Sequence, residues 1–358
     1  MDQKTITDRI KTMRRQLDKK RISGLVLTKS ANVTYVTGFL GADSWAVVAA
    51  GRVYLLTDSR YTEQAQQECP RCKIVKRTGS LAEALTKLLK RLKSVRTVTV
   101  EESTSLADFW QMKKAVKARL RTAANVIEPL RSVKDQSELA AIRTAVSIST
   151  RALAYTLPHI KPGMSESELA GMLDFQIRKL GARNAFETIV AFGPSASRPH
   201  HQPGKKKLRK KDTVLIDFGA KYKGYCSDIT RCFTVGPMTA LYKRAYDVVE
   251  QAQAAAIQAI KPGVKITEVD AAARQVIEKS DLPVYEHGTG HGFGLDIHEI
   301  PFLKPEAKGK LQPGQVLTIE PGIYMPGKLG VRIEDDVLVT ETGHKILTHL
   351  CPHSPVLP

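Results

Sequence analysis

Two segments one hundred residues apart, Ile160-Lys161-Pro162-Gly163 and Ile260-Lys261-Pro262-Gly263, carry the same four residues. A match of that length means little alone, but the patterns around it recur in the same order. Each copy follows a stretch of helical periodicity (146–157 and 246–259) and precedes another (166–180 and 267–279). A strand hairpin closes each copy. The first runs Val214-Leu215-Ile216-Asp217, turns at Tyr222-Lys223-Gly224 and returns through Cys226-Ser227-Asp228. The second runs Val316-Leu317-Thr318-Ile319-Glu320, turns near Gly327 and returns through Val331-Arg332-Ile333-Glu334. Two sequential helix–helix–hairpin halves predict a pseudo-symmetric α+β domain.

Upstream the pattern differs. Residues 5–20 read as an amphipathic helix, 25–27, 45–49 and 53–56 as short strands, 81–92 as a helix and 95–100 as a strand. Strands interleaved with helices predict an α/β domain with a covered sheet. The pattern breaks at Asn125-Val126-Ile127-Glu128-Pro129, and a long helical stretch opens near Asp135. Two domains are therefore expected, 1–128 and 129–358, which 358 residues readily supply.

The net charge of +19 is concentrated in the first of them: 25 basic and 12 acidic residues give 1–128 a net +13, against 30 and 24, a net +6, in 129–358. Such a field favours anionic partners. With 6% aromatic residues and no nucleic-acid module signature, however, a solvated basic surface is the preferred reading and nucleic acid is disfavoured. No window approaches the ~18 apolar residues of a membrane span, so no membrane partner is expected. The basic N-terminus lacks the apolar core of a secretory signal. Five cysteines fit a reducing cytoplasm better than a disulfide framework.

The hairpins carry the chemistry. Asp217 and Asp228 are symmetric about a turn centred between Tyr222 and Lys223, and Glu320 and Glu334 about Gly327, so antiparallel pairing is expected to set each pair face to face. Four converging carboxylates among apolar neighbours repel one another unless cations compensate. Arg231 and Arg332 could serve two of them, not four; a pair of divalent metals serves all. Three histidines, His287, His291 and His298, fall in the glycine-rich run 286–299. Beside a carboxylate cluster they suit one metal ligand and two groups for acid–base or hydrogen-bonding work. His200-His201, in Ser197-Arg198-Pro199-His200-His201-Gln202-Pro203, is a further candidate pair.

Together, Asp217-Phe218-Gly219, Ser227-Asp228-Ile229-Thr230-Arg231, the run from His287 through Gly290-His291-Gly292 to His298-Glu299, Glu320-Pro321-Gly322-Ile323-Tyr324 and Arg332-Ile333-Glu334-Asp335 resemble the pita-bread metallopeptidases. That family includes aminopeptidase P, prolidase and methionine aminopeptidase. Residues 31–39 and 57–61 resemble the creatinase/prolidase N-terminal domain, which methionine aminopeptidases generally lack. Creatinase itself lacks the metal ligands. The resemblance implies a dinuclear centre held by Asp217, Asp228, His291, Glu320 and Glu334. Mn²⁺ is the first expectation, with Co²⁺, Fe²⁺ or Zn²⁺ as alternatives. In that mechanism the metals acidify a shared water. Glu320 takes its proton and passes it to the leaving imide nitrogen of proline, while His298 and one metal stabilise the oxyanion. His200 would bind substrate or relay protons, His287 would line the substrate pocket, and Arg332 and Tyr324 would orient Glu334 and the other ligand carboxylates.

The implied substrates are short peptides with proline in second position, and the implied assembly is a homodimer. One departure bears on peptide length. Dipeptide-preferring prolidases place an Arg after the His-Glu-x-Pro element to clamp the substrate carboxylate, and here Phe302 stands there. The reading therefore leans to an Xaa-Pro aminopeptidase, with prolidase as the alternative. A methionine-type aminopeptidase or a basic nucleic-acid- or protein-binding relative follows behind. Cys69-Pro70-Arg71-Cys72 is too isolated to argue a zinc or redox site, and the basic run 205–211 reads as a solvated turn.

Overall fold

The computed structural model describes residues 3–92 and 95–357, and its chain divides into two compact units, Met1–Arg131 and Ser132–Pro358. Among the described residues no helix is long and apolar enough to cross a membrane.

The first unit is built on a six-stranded mixed sheet. Its strands are β1 (Gly24–Leu27), β2 (Trp45–Ala49), β3 (Arg52–Thr57), β4 (Lys73–Lys76), β5 (Thr97–Glu101) and β6 (Arg119–Ala123), in the order β4-β3-β2-β1-β5-β6. The central strands β1 and β2 are buried along their length, as continuous apolar runs in a covered sheet should be. Helix α1 (Gln3–Lys19) precedes the sheet, α2 (Ser30–Thr37), α3 (Thr62–Glu68), α4 (Leu81–Arg91) and α5 (Leu106–Ala115) connect strands, and α6 (Glu128–Ser132) follows β6. Ala82, Leu85 and Leu88 of α4 pack into one apolar core with Val26, Val47 and Val98 of the sheet.

The second unit shows the repeat directly. Helices α7 (Gln136–Thr156) and α8 (Glu166–Lys179) open the first half, and α9 (Ala240–Ala259) and α10 (Ile266–Glu278) open the second. Both Lys-Pro-Gly turns place glycine at positive φ, 93° at Gly163 and 83° at Gly263, where a side chain would be strained. The hydrogen bonds match as well: Gly163 N donates to Leu208 O and Gly263 N to Leu311 O, each at 2.9 Å. Each half has its own apolar core, centred on Leu169, Leu173, Ile216 and Phe233 in one and on Val249, Val269, Leu317 and Val337 in the other.

In the first half β8 (Ile189–Phe192), β9 (Thr213–Phe218) and β12 (Ile229–Thr234) form one sheet. The short strands β7 (Arg183–Asn184), β10 (Ala220–Tyr222) and β11 (Tyr225–Cys226) form another. In the second half β13 (Gly290–Gly292), β14 (Glu299–Leu303), β15 (Val316–Ile319), β18 (Asp335–Val339) and β19 (His344–Ile346) form a sheet ordered β14-β13-β15-β18-β19, and β16 (Gly322–Met325) pairs with β17 (Leu329–Arg332). A backbone hydrogen bond from Glu334 N to Thr230 O, 3.1 Å long, links the two halves beside the carboxylates.

The two hairpins answer the expected pairing differently. In the second, Gly322 lies opposite Arg332 and Ile319 opposite Asp335, so Glu320 and Glu334 occupy matched positions between two ladders, as expected. In the first, Asp217 lies opposite Thr230, not Asp228. The reason is the turn. Lys223 and Gly224 both adopt positive φ, 48° and 88°, the signature of a two-residue type I′ hairpin, which moves its centre one residue beyond the expected one. Asp228 is thereby set two residues before Thr230, diagonal to Asp217.

Candidate metal centre

Asp217 projects from the end of β9, Asp228 precedes β12, His291 is central in β13, Glu320 follows β15 and Glu334 follows β17. These five, with His200, His287, His298 and Arg332, line one cavity of about 590 Å³. Asp228, His291 and Glu334 each offer a ligand atom within 4.8 Å of the other two. His291 Nε2 also lies 3.4 Å from Glu320 Oε1. Close backbone approach explains the glycines here: a Cβ on Gly290 would meet Thr318 O at 1.9 Å.

The tautomer of His291 follows from its surroundings. Nδ1 faces Gly292 O at 3.1 Å and must donate to it, which leaves the Nε2 lone pair toward the carboxylates. Burial, and then the charge of His298, push the imidazole down to about 4, so it is neutral at pH 7, the ligand form. Burial and the mutual repulsion of the acids act oppositely on the carboxyls. Asp228 and Glu334 are pushed well above the usual range. Glu320 rises to about 7, through burial and Asp217 and against the pull of Arg332.

The donors fit a pair of hard divalent ions. Asp217 Oδ1 is buried and has no hydrogen-bond partner among the described residues, although its other oxygen accepts from Arg332. A buried carboxylate oxygen left bare beside three more crowded acids and a neutral imidazole is what a metal ligand requires.

The supporting groups add three residues to those expected. Arg332, expected to orient Glu334 and the other ligand carboxylates, donates from Nη2 to Asp217 Oδ2 at 2.6 Å and from Nε to Thr230 Oγ1 at 3.1 Å. Thr230 holds Glu334, donating to Oε2 at 2.6 Å. Thr318 Oγ1 reaches Glu320 Oε1 at 3.3 Å and accepts from His291 N, and Asp336 accepts from Asp228 N at 3.2 Å. Thr230 and Thr318 each stand two residues from a ligand acid, on the same face of the strand, and that period is the one signal that could have marked them. Arg231 pairs with Asp335 at 2.7 Å and leaves all four acids to other partners.

Tyr324 OH accepts from Arg332 Nη1 at 2.9 Å and donates to His287 Nε2 at 3.0 Å, because His287 Nδ1 is engaged by Gly288 O. Burial pushes His287 down to about 4, which keeps it a neutral acceptor. Tyr324→Phe breaks both links and is expected to cost about 1–3 kcal/mol of stability in urea denaturation. An unchanged midpoint would uncouple Arg332 from His287. His298 stacks edge-on against His291 with ring centres 4.5 Å apart, and both His200 and His298 are exposed to the cavity.

Residues 140–341 match the model of metallopeptidase family M24, and residues 9–133 match the creatinase/prolidase N-terminal domain. The chain belongs to metallopeptidase family M24. It is 37% identical over 345 residues to the uncharacterized peptidase YqhT of Bacillus subtilis, covering 95% of this chain and 98% of the relative. An Xaa-Pro dipeptidase from Bacillus anthracis superposes with a TM-score of 0.93 at 35% identity, covering 98% of this chain and 99% of the other. An X-Pro aminopeptidase from Thermotoga maritima superposes at 0.86, also at 35% identity, covering 96% and 99%. This M24 chain is thus a pita-bread peptidase with the α/β N-terminal domain expected from its sequence.

Proposed function

We propose that this M24 peptidase hydrolyses the bond between an N-terminal residue and proline, with Asp217, Asp228, His291, Glu320 and Glu334 holding two divalent ions. The observation that carries the reading is the convergence of these five side chains from both halves of the repeat on one cavity, with a bare buried carboxylate oxygen at Asp217. The names of the dipeptidase and aminopeptidase relatives supply the substrate class. Mn²⁺ is the first choice for an oxygen-rich set with one imidazole, with Co²⁺, Fe²⁺ or Zn²⁺ behind it. We place the enzyme in the cytoplasm on its five free thiols, and expect a homodimer from the family resemblance.

When bound, the ions supply Lewis acidity toward water and a peptide carbonyl. Glu320, whose Oε1 lies 3.4 Å from His291 Nε2 in this cavity, would take a proton from water and return it to the imide nitrogen of proline, which has no proton of its own. Burial and the nearby His200 push His298 down from its ordinary value, so it meets a developing oxyanion as a neutral donor. His200 faces the same space and contacts substrate or relays protons. Arg332 fixes Asp217, and Thr230 fixes Glu334.

Phe302, exposed at the cavity wall, cannot pair a dipeptide's carboxylate, which favours longer peptides. Lys304 lines the same cavity with no ion pair among the described residues, and this is the observation on the side of dipeptides. An assay of Mn²⁺-loaded and chelator-treated protein on Ala-Pro and Ala-Pro-Ala separates the two. Metal-dependent alanine release from the tripeptide in clear preference is the expected result. Preference for Ala-Pro would make the enzyme a dipeptidase, and release from neither would overturn the assignment.

A further inference from the structure

One buried carboxylate outside the ligand set bonds the segment that carries His200. Glu166 begins α8 and is 1% exposed. Its Oε2 accepts from His201 Nε2 at 2.8 Å and from Gly204 N at 3.0 Å, and its Oε1 accepts from Phe192 N at 3.0 Å. Burial pushes its pKa up, but the His201 hydrogen bond and the two backbone donors outweigh burial and hold it below the carboxylate range, so it is an anion. Phe192 ends β8 and pairs with Val214 of β9, the strand that carries Asp217. Glu166 therefore links the sheet bearing one ligand acid to the segment 198–204.

The repeat supplies an internal control. Glu166 N donates to Lys206 O at 3.1 Å, and at the matching place Ile266 N donates to Gly309 O at 3.2 Å. Leu208 N bonds Met164 O as Leu311 N bonds Val264 O. On this shared scaffold the second half places isoleucine, buried in its apolar core. The fold thus accepts an apolar side chain at the start of this helix. Burying a carboxylate there costs several kcal/mol unless it is fully hydrogen-bonded, so packing alone does not account for Glu166.

We propose that Glu166 is a positioning residue for the peptidase site: through His201 and the Gly204 amide it fixes the 198–204 segment so that His200 faces the carboxylate cluster. The proposal rests on the peptidase reading above and adds to it a residue that never touches substrate. Ser167 reinforces the anchor, its Oγ donating to Pro203 O at 3.0 Å.

The test is a double-mutant cycle on kcat/KM with Mn²⁺ and Ala-Pro-Ala, paired with hydrogen exchange over 198–204. Glu166→Gln keeps the shape but presents an amide to the Gly204 N–H. It is expected to lower kcat/KM by about 10–100-fold, as small misplacements of reacting groups do. In a His200→Ala background the same change is expected to cost less than about twofold, because its route to the chemistry is already gone. Exchange of the 198–204 amides is expected to quicken about tenfold. His201→Ala, which removes only the ring donor, repeats the cycle should Glu166→Gln fold poorly. Equal losses in both backgrounds, or unchanged exchange, would overturn the anchor. A His200→Ala enzyme as active as the parent would overturn the role of His200 and the proposal with it. A parent that cleaves neither peptide would instead overturn the peptidase reading, and the exchange measurement then decides the anchor by itself.

Discussion

Glu320→Gln is expected to lower kcat on Ala-Pro-Ala by about 10²–10⁴-fold at saturating Mn²⁺, the range a positioned general base contributes. The argument is geometric first. Glu320 lies 3.4 Å from His291 Nε2, inside the cavity that the other four ligand candidates line. It shares that space with the bare oxygen of Asp217, so a water held by the ions would lie within its reach. Glutamine preserves the contact from Thr318, which donates to a carbonyl as readily as to a carboxylate, so the local fold should persist. The measurement is single-turnover alanine release together with bound-metal content. A variant within tenfold of the parent, with its metal retained, would remove Glu320 from the proton path.

How well the sequence anticipated this site depended on what each position encodes locally. The four converging acids were visible because they recur at mirrored places in a repeat, and the repeat was visible because Lys-Pro-Gly turns use glycine at positive φ in both copies. Which acid meets which base was not visible. That depends on register, and register in the first hairpin is set by two positive-φ residues at Lys223 and Gly224. A turn centre displaced by one residue moves every cross-strand partner by two, and it placed Thr230 rather than Asp228 opposite Asp217. Thr230 and Thr318 stayed hidden for a different reason: a threonine in a strand is ordinary, and only the neighbouring acid gives its hydroxyl a function.

The N-terminal unit shows the complementary limit. Its long amphipathic helices at α1 and α4 could be read from periodicity. Helix α2 could not: seven of its residues, Ala31 to Thr37, are buried, so no polar face alternates with an apolar one. Its β-branched composition even argues for a strand. Burial on all sides erases the signal on which helical reading depends, and only the Gly38 cap at φ 83° marks where the helix stops.

Stripping the divalent ions is expected to make stability fall as pH rises from about 6.5 to 8, and restoring them to remove that fall; below about 6.5 the buried His287 and His291, pushed down to about 4, act in the opposite direction and offset it. The sign follows from proton uptake. The folded-state pKa of Glu320 is raised from 4.5 to about 7 by burial and by Asp217. Below the unfolded value the group is protonated in both states. Between the two values the folded protein holds a proton that the unfolded chain has released, so each pH unit costs the fold about 1.4 kcal/mol. For Glu320 alone the loss across that window is on the order of 3 kcal/mol, and Asp228 and Glu334 are pushed in the same direction. Bound ions reverse the dependence, since the ionised carboxylate is then the ligand and affinity rises as protons leave. Urea midpoints at pH 6.5 and 8, with chelator and with Mn²⁺, read the effect, and Glu334→Gln in chelator should flatten the slope by removing one acid from the repulsion. A metal-stripped protein whose midpoint is level or rises between those pH values would mean that the four acids do not crowd one another, and the case for a dinuclear centre would lose its electrostatic ground.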